Sequence, residues 1–565
     1  MSFKPRLDSG IVLAIIVLAV FVAALGLSSC GGSGSTSTNP DPAPAPPFSP
    51  GNVAVLTYHN DNARTGQNLN ETILTASSVN SSNFGKIGTL PVIGLVDAEP
   101  LYVPNLIING APHNVVFVAT EHDLVYAFDA DTFVQLWQAS VTAGESPSDK
   151  RNCDQVTPEI GVTSTPVIDL SAGPNGTIFL VAMSKDSGGH YHQRLHALDL
   201  VTHAELDGGP REIQATYPNL RGQTTFDPGE YEERSGLLLL NGVIYLSWTS
   251  HCDVGNYTGW VMGYRESTLQ QTSVLNVTPN GSGGAIWMAG AGLAADSAGN
   301  IYFLDANGTF DTPVNSSGLP PNGDYGNAFI KLARASNNLA VADYFAPHDT
   351  VANSAADRDL GSGGALVLPD LKDKSGATRH LAVGAGKVNI GGQTFIFVVN
   401  RDSMGKFSAS NDHAIYQETA AGLEGGTGVY AMPAYFSNTV YYGAVDDNLK
   451  AFSILNARLV TPAASESGTS FGYPGATPSI SANGTSSGIV WAVEAARTGV
   501  LHAYDATNLA NELYNSNQAG TRDQFPNNKF ITPIIANGKV YVGTSNAVVA
   551  FGLLNKSASF SAGHL

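Results

Sequence analysis

The chain has 565 residues, of which 13% are charged, and it contains 61 glycines and 30 prolines. Its formal net charge of −19 argues against nucleic acid as a partner, because a phosphate backbone requires a basic surface. Scarce charge and frequent turn residues are typical of short strands joined by turns rather than of long helices. We therefore expect an all-β protein.

The first 29 residues have the pattern of a lipoprotein signal peptide. Lys4 and Arg6 form a short basic start, and residues 11–27 form an apolar run without charge. The letters LSSC at 27–30 match the site that lipoprotein signal peptidase cleaves. A transmembrane anchor is the alternative reading, although the run is barely long enough to cross a bilayer. We expect lipidation of Cys30 and a membrane-anchored protein of the cell envelope.

A tether follows the predicted cleavage site. Residues 30–50 are rich in Gly and Ser and then in Pro, a composition that cannot bury a core. Gly31 stands where proteins retained at the inner membrane commonly carry Asp, which favours the outer membrane, facing the periplasm or the outside. We expect a folded domain at 51–555 and a C-terminal tail at 556–565.

Two further cysteines, Cys153 and Cys252, lie in the expected domain. Export would place them in an oxidising compartment, where a disulfide between them could form. Two free thiols are the alternative. No CxxCH sequence occurs, so no c-type haem is attached to this chain.

The expected domain repeats one sequence motif, in which a strand and a tight turn are followed by two further strands. Copies begin near residues 98, 163, 234, 290, 362, 430, 476 and 531. Asn241-Gly242 and Asn537-Gly538 lie between alternating apolar runs, which is a strong hairpin signal. Each copy can form a four-stranded sheet that buries its faces only against its neighbours, as in a β-propeller.

The eighth copy is one strand short. The letters FGKIGTLPV at 84–92, before the first copy, could supply the missing strand and close the ring without exposed edges. The sequence therefore predicts an eight-bladed β-propeller closed by an N-terminal strand. A seven-bladed ring is the runner-up.

Residues 57–92, a repeat at 127–137 and 196–206, and the succession of the fourth and fifth copies resemble the quinoprotein family of propellers, whose dehydrogenases bind pyrroloquinoline quinone (PQQ). Residues 57–92 resemble the N-terminus of the quinoprotein dehydrogenases. Residues 127–137 (AFDADTFVQLW) and 196–206 (HALDLVTHAEL) resemble the family's tryptophan-docking repeat. Within those repeats Phe133 and Ala204 replace the usual glycine, and Trp137 is the one docking tryptophan kept. The resemblance covers about 53–554 and implies a quinoprotein-like fold.

The resemblance also implies a cofactor pocket. In the dehydrogenases PQQ stacks on a tryptophan and coordinates calcium, and residues 283–311 resemble the segment that carries both contacts. That match makes Trp287 the floor of the pocket and Asn307 a calcium ligand. Their structural alternatives are a tryptophan packed between blades and a turn residue. The second-blade carboxylate that helps to bind calcium has Asp186 as its nearest counterpart.

Residues 346–364 (APHDTVANSAADRDLGSGG) resemble the region that holds the catalytic base. The base would be Asp359, slightly preferred, or Asp357. Two carboxylates this close would raise the pKa of one of them, as a base requires. The structural alternative is that both cap a turn. Lys387 matches the cation that contacts the quinone, with an ordinary surface lysine as the alternative.

Two hypotheses follow. The first is a PQQ- and calcium-dependent dehydrogenase of alcohols or sugars that passes electrons to a separate acceptor. The second is a non-enzymatic propeller that acts as a binding or envelope-assembly scaffold. If the first holds, the side chains of Trp287, Asn307, Asp359 and Lys387 converge on one pocket near the propeller axis.

Overall fold

A computed structural model describes residues 52–335, 338–423 and 426–554. The chain divides into two units, Met1–Pro47 and Phe48–Leu565, and all described residues belong to the second. The predicted signal peptide, Cys30, the tether and the C-terminal tail therefore lie outside the described residues. Among the described residues, no helix is long and apolar enough to span a membrane.

The described residues form eight four-stranded antiparallel blades, which confirms the predicted eight-bladed propeller. Blade 1 has strands Leu101–Ile108, Ala111–Ala119, Leu124–Asp129 and Gln135–Ser140. Blade 2 has Val167–Asp169, Thr177–Lys185, Tyr191–Asp199 and Arg211–Glu212. Blade 3 has Leu238–Leu240, Val243–Ser247, Trp260–Arg265 and Gln271–Asn276. Blade 4 has Ala294–Ala295, Ile301–Leu304, Phe329–Ala335 and Asn338–Phe345.

The second half of the ring repeats this pattern. Blade 5 has strands Ala365–Val367, Leu381–Ala385, Phe395–Asn400 and Gln417–Ala420. Blade 6 has Ala434–Phe436, Thr439–Tyr442, Asp447–Leu455 and Ser465–Phe471. Blade 7 has Ser479–Asn483, Ser486–Glu494, Val500–Asp505 and Asn508–Asn515. Blade 8 has Ile534–Ala536, Lys539–Gly543, Ala547–Leu553 and, from the N-terminal side, Phe84–Pro91.

Short elements connect the blades. Outside them, the strands are Gln67–Asn68, Ser146–Asp149, Glu159–Ile160, Thr216–Asn219, Gly222–Thr225, Tyr231–Glu232, Thr249–Ser250, Leu371–Lys372, Thr378–Arg379 and Arg458–Leu459. The described part has one α-helix, α1 (Thr350–Ala355), and three 3-10 turns, Met288–Gly290, Leu360–Ser362 and Ser516–Asp523.

The N-terminal strand closes the ring as the sequence predicts. Phe84–Pro91 pairs antiparallel with Ala547–Leu553, the last strand of the chain, so blade 8 combines both ends of the described domain. The predicted hairpins are also present, since Asn241 and Asn537 adopt φ of 53° and 49° with a left-handed glycine after each. Both positive φ values are those that a two-residue type I′ turn requires.

The docking repeat joins blades 1 and 2. The Trp137 indole N–H donates to the carbonyl of Leu200 at 3.0 Å, so the tryptophan of one blade is held by the next. The left-handed residues of the two repeats are Phe133 (φ 62°) and His203 (φ 51°). The glycine position of the second repeat is therefore His203, and the expectation that Ala204 occupies it is corrected by one residue.

A hub segment, residues 55–68, contacts the first strand of every blade. Backbone bonds join it to Tyr102, Ile168, Ala295, Val367, Tyr435 and Ile480 of blades 1, 2, 4, 5, 6 and 7. Asn62 Nδ2 donates to the carbonyl of Leu239 in blade 3, and Asn68 Nδ2 donates to that of Ile535 in blade 8. Because one short segment reaches all eight first strands, these strands must surround the propeller axis.

The buried Arg64 anchors the hub segment. Its guanidinium donates to the carbonyls of Leu293 (2.9 Å) and Leu237 (3.1 Å) and to the hydroxyl of Thr57 (2.8 Å). These acceptors come from blades 4 and 3 and from the hub itself. An arginine with several matched acceptors is one of the few cations that can be buried without a large loss of stability.

Candidate functional site

The predicted site residues lie at one end of the ring. In an antiparallel blade, the segment that enters the first strand and the turn that leaves the second strand are at the same end. Trp287 and Asp359 enter the first strands of blades 4 and 5, whereas Asn307 and Lys387 follow the second strands of those blades. The repeat architecture therefore places all four at this end.

Three of the four line a single cavity. Trp287, Asp359 and Lys387 border about 600 Å³ of space, part of it open to solvent, at this end of the propeller. The other lining residues are Gln155, Arg234, Thr249, Ser250, Cys252, Asp253, Tyr430, Tyr473, Lys529 and Phe530. We call this space the central cavity.

An ion pair forms part of the cavity wall. Lys387 Nζ lies 2.5 Å from Asp359 Oδ2 and 2.7 Å from Asp357 Oδ1. Asn307 donates its backbone N–H to Asp359 Oδ1 at 2.8 Å and its side-chain amide to Asp357 Oδ1 at 3.0 Å. Asn307 does not line the cavity but holds both aspartates in place.

The two aspartates have different surroundings. The side chain of Asp359 is 9% exposed, whereas that of Asp357 is 76% exposed. Burial raises the pKa of Asp359 above its ordinary value, although the ammonium of Lys387 opposes this shift. Burial also acts to lower the pKa of Lys387, but the charge of Asp359 and hydrogen bonds to both aspartates outweigh it and raise that pKa. Lys387 is therefore a fixed cation, and Asp359 is an enclosed carboxylate with a raised pKa.

Aromatic rings form another wall. Trp287 lies 5.8 Å from Tyr430 between ring centroids, Tyr430 lies 5.7 Å from Tyr473, and Tyr473 lies 5.9 Å from Phe530. The guanidinium carbon of Arg234 lies 4.7 Å from the Phe530 centroid. Rings beside fixed cations suit a flat ligand that carries negative charge.

The disulfide question is settled by the structure. Cys153 and Cys252 are bonded, with 5.6 Å between their Cα atoms and a sequence separation of 99. Cys252 also lines the central cavity. The bond thus attaches the segment before blade 2 to a loop of blade 3 at the cavity edge.

The residues present suit a quinone better than they suit calcium. Both oxygens of Asp359 are engaged, one by Asn307 and one by Lys387. Asn307 Oδ1 is buried without a donor, which leaves one free oxygen among the expected ligands. Calcium takes six to eight oxygens, and no group of three or more His, Cys, Asp or Glu among the described residues is arranged to hold a metal. The donor set does not fit a calcium ion.

Asp186 is not brought into the central cavity. It follows the second strand of blade 2, at the expected end, but its carboxylate accepts the backbone N–H of His190 at 2.8 Å. The other carboxylate oxygen lies 3.0 Å from His190 Nδ1. Asp186 therefore closes its own turn.

A smaller axial chamber adjoins the central cavity and shares Arg234 and Phe530 with it. Tyr58 of the hub segment also lines the chamber, as do Asp97 and Glu99. Glu99 accepts the backbone N–H of His59 at 3.0 Å, and burial raises the pKa of Glu99 to about 8. The chamber has room for water but not for a larger ligand.

Sequence reasoning did not identify Arg234, Tyr430, Tyr473 or Lys529. Each lies in a segment that precedes the first strand of a blade, namely blade 3, 6, 7 or 8. Trp287 and Asp359 occupy the same kind of segment in blades 4 and 5. The repeat register could therefore have pointed to these positions, although it could not have selected the residues.

A scan against models of protein families finds no match, and a search of curated proteins finds none either. Solved structures do match. A quinohemoprotein alcohol dehydrogenase from Pseudomonas putida HK5 aligns with a TM-score of 0.56 and 14% identity over 89% of this chain and 80% of that one. The quinohemoprotein alcohol dehydrogenase from Comamonas testosteroni aligns at 0.54 and 14%, over 88% and 80%.

A europium-containing methanol dehydrogenase aligns with a TM-score of 0.52 and 12% identity, over 89% of this chain and 98% of that one. Identities this low show the fold alone. The chain therefore has a PQQ-like propeller fold, shared with alcohol and methanol dehydrogenases.

Proposed function

We propose that this chain is a quinone-dependent oxidoreductase that binds PQQ in the central cavity and oxidises an alcohol or sugar hydroxyl. One observation carries the proposal: Trp287, Asp359 and Lys387, which three separate stretches of the family resemblance assign to the cofactor or substrate, line the same cavity. The fold shared with alcohol and methanol dehydrogenases supports it.

The residues that line the central cavity have different roles in this proposal. Trp287 provides an aromatic surface on which a flat ring system can stack. Lys387 and Arg234 place positive charge beside it, which favours an anionic ligand. A bound quinone supplies the two-electron acceptor that no amino-acid side chain provides.

Asp359 is the proposed base. Its burial makes it more basic than an exposed aspartate, and it accepts the proton of the substrate hydroxyl in this role. Lys387 keeps the carboxylate oriented and stabilises negative charge that develops beside it. Calcium has no place in this proposal, because Asp186 is engaged in its own turn and Asn307 Oδ1 alone is too few donors for this ion.

Electrons must leave through a separate acceptor. The sequence has no CxxCH motif for covalent haem. We therefore propose a soluble or envelope-bound electron carrier as the partner of the reduced protein.

Reconstitution tests the proposal. Purified protein is titrated with PQQ, and uptake is followed by quenching of tryptophan emission and by the absorbance retained after gel filtration. Trp287→Phe is the matched variant, because it keeps an aromatic floor while removing the emitter closest to the ligand. The expected result is stoichiometric uptake followed by dye-linked oxidation of members of an alcohol and sugar panel. No uptake by the folded protein would refute the proposal.

A non-enzymatic scaffold is the second candidate. The observation that favours it is the engagement of both Asp359 oxygens together with the lack of a calcium donor set. A folded protein that takes up no quinone but captures an envelope protein would establish this alternative.

We also propose export and lipid anchoring through Cys30, in the outer membrane. The sequence pattern at 27–30 supports this, and Cys30→Ser provides the test. The natural chain should incorporate labelled fatty acid and fractionate with membranes. The variant should incorporate none, and equal labelling of both chains would contradict the proposal.

A further inference from the structure

A second cavity shares Lys387 with the central cavity. It comprises about 550 Å³ of space, part of it open to solvent, and is lined by residues of blades 4 and 5 and of the segment around α1. The His348 side chain, 46% exposed, opens it to solvent. Lys387 is the one lining residue that the two cavities have in common. We call this space the side cavity.

The side cavity contains an arginine without a partner. Arg358 Nε is buried and has no acceptor, and its guanidinium makes no hydrogen bond or ion pair within the described chain. Its backbone is fixed, because its N–H donates to Asn353 and its carbonyl accepts from Asn327. A guanidinium held in place with unused donors is costly unless a ligand or water supplies acceptors.

Unused acceptors lie in the same cavity. The Glu418 side chain makes no hydrogen bond or ion pair with the described residues. Asp412 holds His348 by its Nδ1 at 2.8 Å, which leaves His348 Nε2 available. Asp349 uses one oxygen to accept the Asn353 amide at 2.8 Å and keeps the other.

One wall is aromatic. Phe395 and Phe397 alternate along one strand, so both project to the same face, and their ring centroids are 6.0 Å apart. Both line the side cavity. The cavity thus combines an apolar surface with separated donors and acceptors of both charges.

We propose that the side cavity binds a neutral polyol of monosaccharide size. A sugar ring has a C–H face that packs against aromatic rings and a rim of hydroxyls that donate and accept at once. Arg358 can donate to such hydroxyls, and Glu418 and Asp349 can accept from them. Because the walls carry both signs of charge, neither a strong anion nor a strong cation is favoured over a neutral ligand.

This site does not require a quinone. Its residues are distinct from those of the central cavity except for Lys387, so binding can be measured on protein that has never contacted PQQ. Absence of sugar binding would therefore not contradict the proposed oxidoreductase, and absence of quinone uptake would not contradict the proposed sugar site.

The test is ligand-observed NMR with D-glucose, D-galactose, L-arabinose and myo-inositol, each added to the purified mature protein. We expect saturation transfer that is strongest for the protons of one ring face, because the Phe rings contact that face. Arg358→Met should weaken binding by about tenfold or more, since it removes charged donors to hydroxyls. Glu418→Gln should weaken it by about threefold to tenfold.

Arg497→Met is the matched control, because Arg497 is an exposed arginine on a blade 7 hairpin. Its affinity should equal that of the natural chain. Circular dichroism establishes whether each variant is folded. If Arg358→Met does not fold, Glu418→Gln still tests the site. No sugar binding, or binding that neither variant weakens, would overturn the inference. Citrate bound more tightly than every polyol would also overturn it, by showing an anion site.

Discussion

The ammonium of Lys387 lies between the carboxylates of Asp359 and Asp357, 2.5 Å from the enclosed one and 2.7 Å from the exposed one. One cation thus connects a group inside the central cavity to a group in solvent. The arrangement distinguishes two aspartates that the sequence alone could not, because only Asp359 lines the cavity.

Replacing Asp359 by Asn should separate binding from chemistry. The amide keeps the shape and one acceptor for Asn307 but cannot take a proton. We expect quinone affinity within about threefold of the natural protein and turnover reduced by about 10²- to 10⁴-fold. Asp357→Asn is the control, with less than a tenfold loss. Dye-linked assays on quinone-loaded protein measure both, and full turnover by Asp359→Asn would move the base elsewhere.

The disulfide should contribute strongly to stability. It closes a loop of about 100 residues, for which chain entropy predicts a contribution of about 5 kcal/mol. Replacing Cys153 and Cys252 by Ala should lower the free energy of unfolding by this order. Urea unfolding followed by circular dichroism measures it, and reduced natural protein should behave like the double variant. Equal midpoints for the oxidised protein and the double variant would refute the prediction.

Arg64 should be essential to the hub segment. Arg64→Leu removes donors to five acceptors, including the carbonyls of Leu237 and Leu293, which are left buried. We expect a loss of about 3 kcal/mol or more, because each unsatisfied buried group costs about 1 to 3 kcal/mol. Arg221→Leu, at an exposed position, should change the free energy of unfolding by less than about 0.5 kcal/mol. Similar denaturant midpoints for the two variants would contradict this role.

Glu99 should make stability fall as pH rises. Burial raises its pKa to about 8 from an ordinary value of 4.5, so between these values the folded chain holds a proton that the unfolded chain has released. The native state binds more protons in that window, and the free energy of unfolding therefore decreases with increasing pH. A pKa difference of one unit corresponds to about 1.4 kcal/mol in the free energy of unfolding. Because the chamber has room for water, we expect the raised pKa of Glu99 to change this free energy by an amount on the order of 3 kcal/mol.

Glu99→Gln tests this dependence. The amide oxygen can still accept the N–H of His59, but it no longer titrates. Unfolding free energies measured from pH 5 to pH 8 should fall less steeply for the variant than for the natural protein. Parallel pH profiles would show that Glu99 is already ionised at low pH.

The fold was accessible from sequence because its signals are local and repeated. Asn241-Gly242 and Asn537-Gly538 specify their hairpins within two residues, and the apolar alternation around them defines each blade. The closing strand could be predicted because the eighth copy supplies three strands, whereas a blade requires four. The glycine position of the second repeat is His203 and not Ala204, which shows that an alignment by residue letters alone can be wrong by one position.

The site was predictable only where a resemblance placed a residue. Trp287, Asp359 and Lys387 were found in this way, and all three line the central cavity. Arg234 and Lys529 come from blades 3 and 8, where no motif marks them. The pairing of Asp186 with His190 depends on how one turn closes. The positions of Arg234 and Lys529 in the cavity arise from packing between distant segments, which spacing along the chain does not encode.

The hub segment has a consequence for the order of synthesis. Residues 55–68 and the strand Phe84–Pro91 leave the ribosome before every blade, yet their last partners are Ile535 and Ala547–Leu553, near the opposite end. Early blades can form as they emerge, but the ring cannot close until Ile535 and Ala547–Leu553 have been synthesised. A chain truncated before these residues leaves Phe84–Pro91 without its strand partner and the ring open.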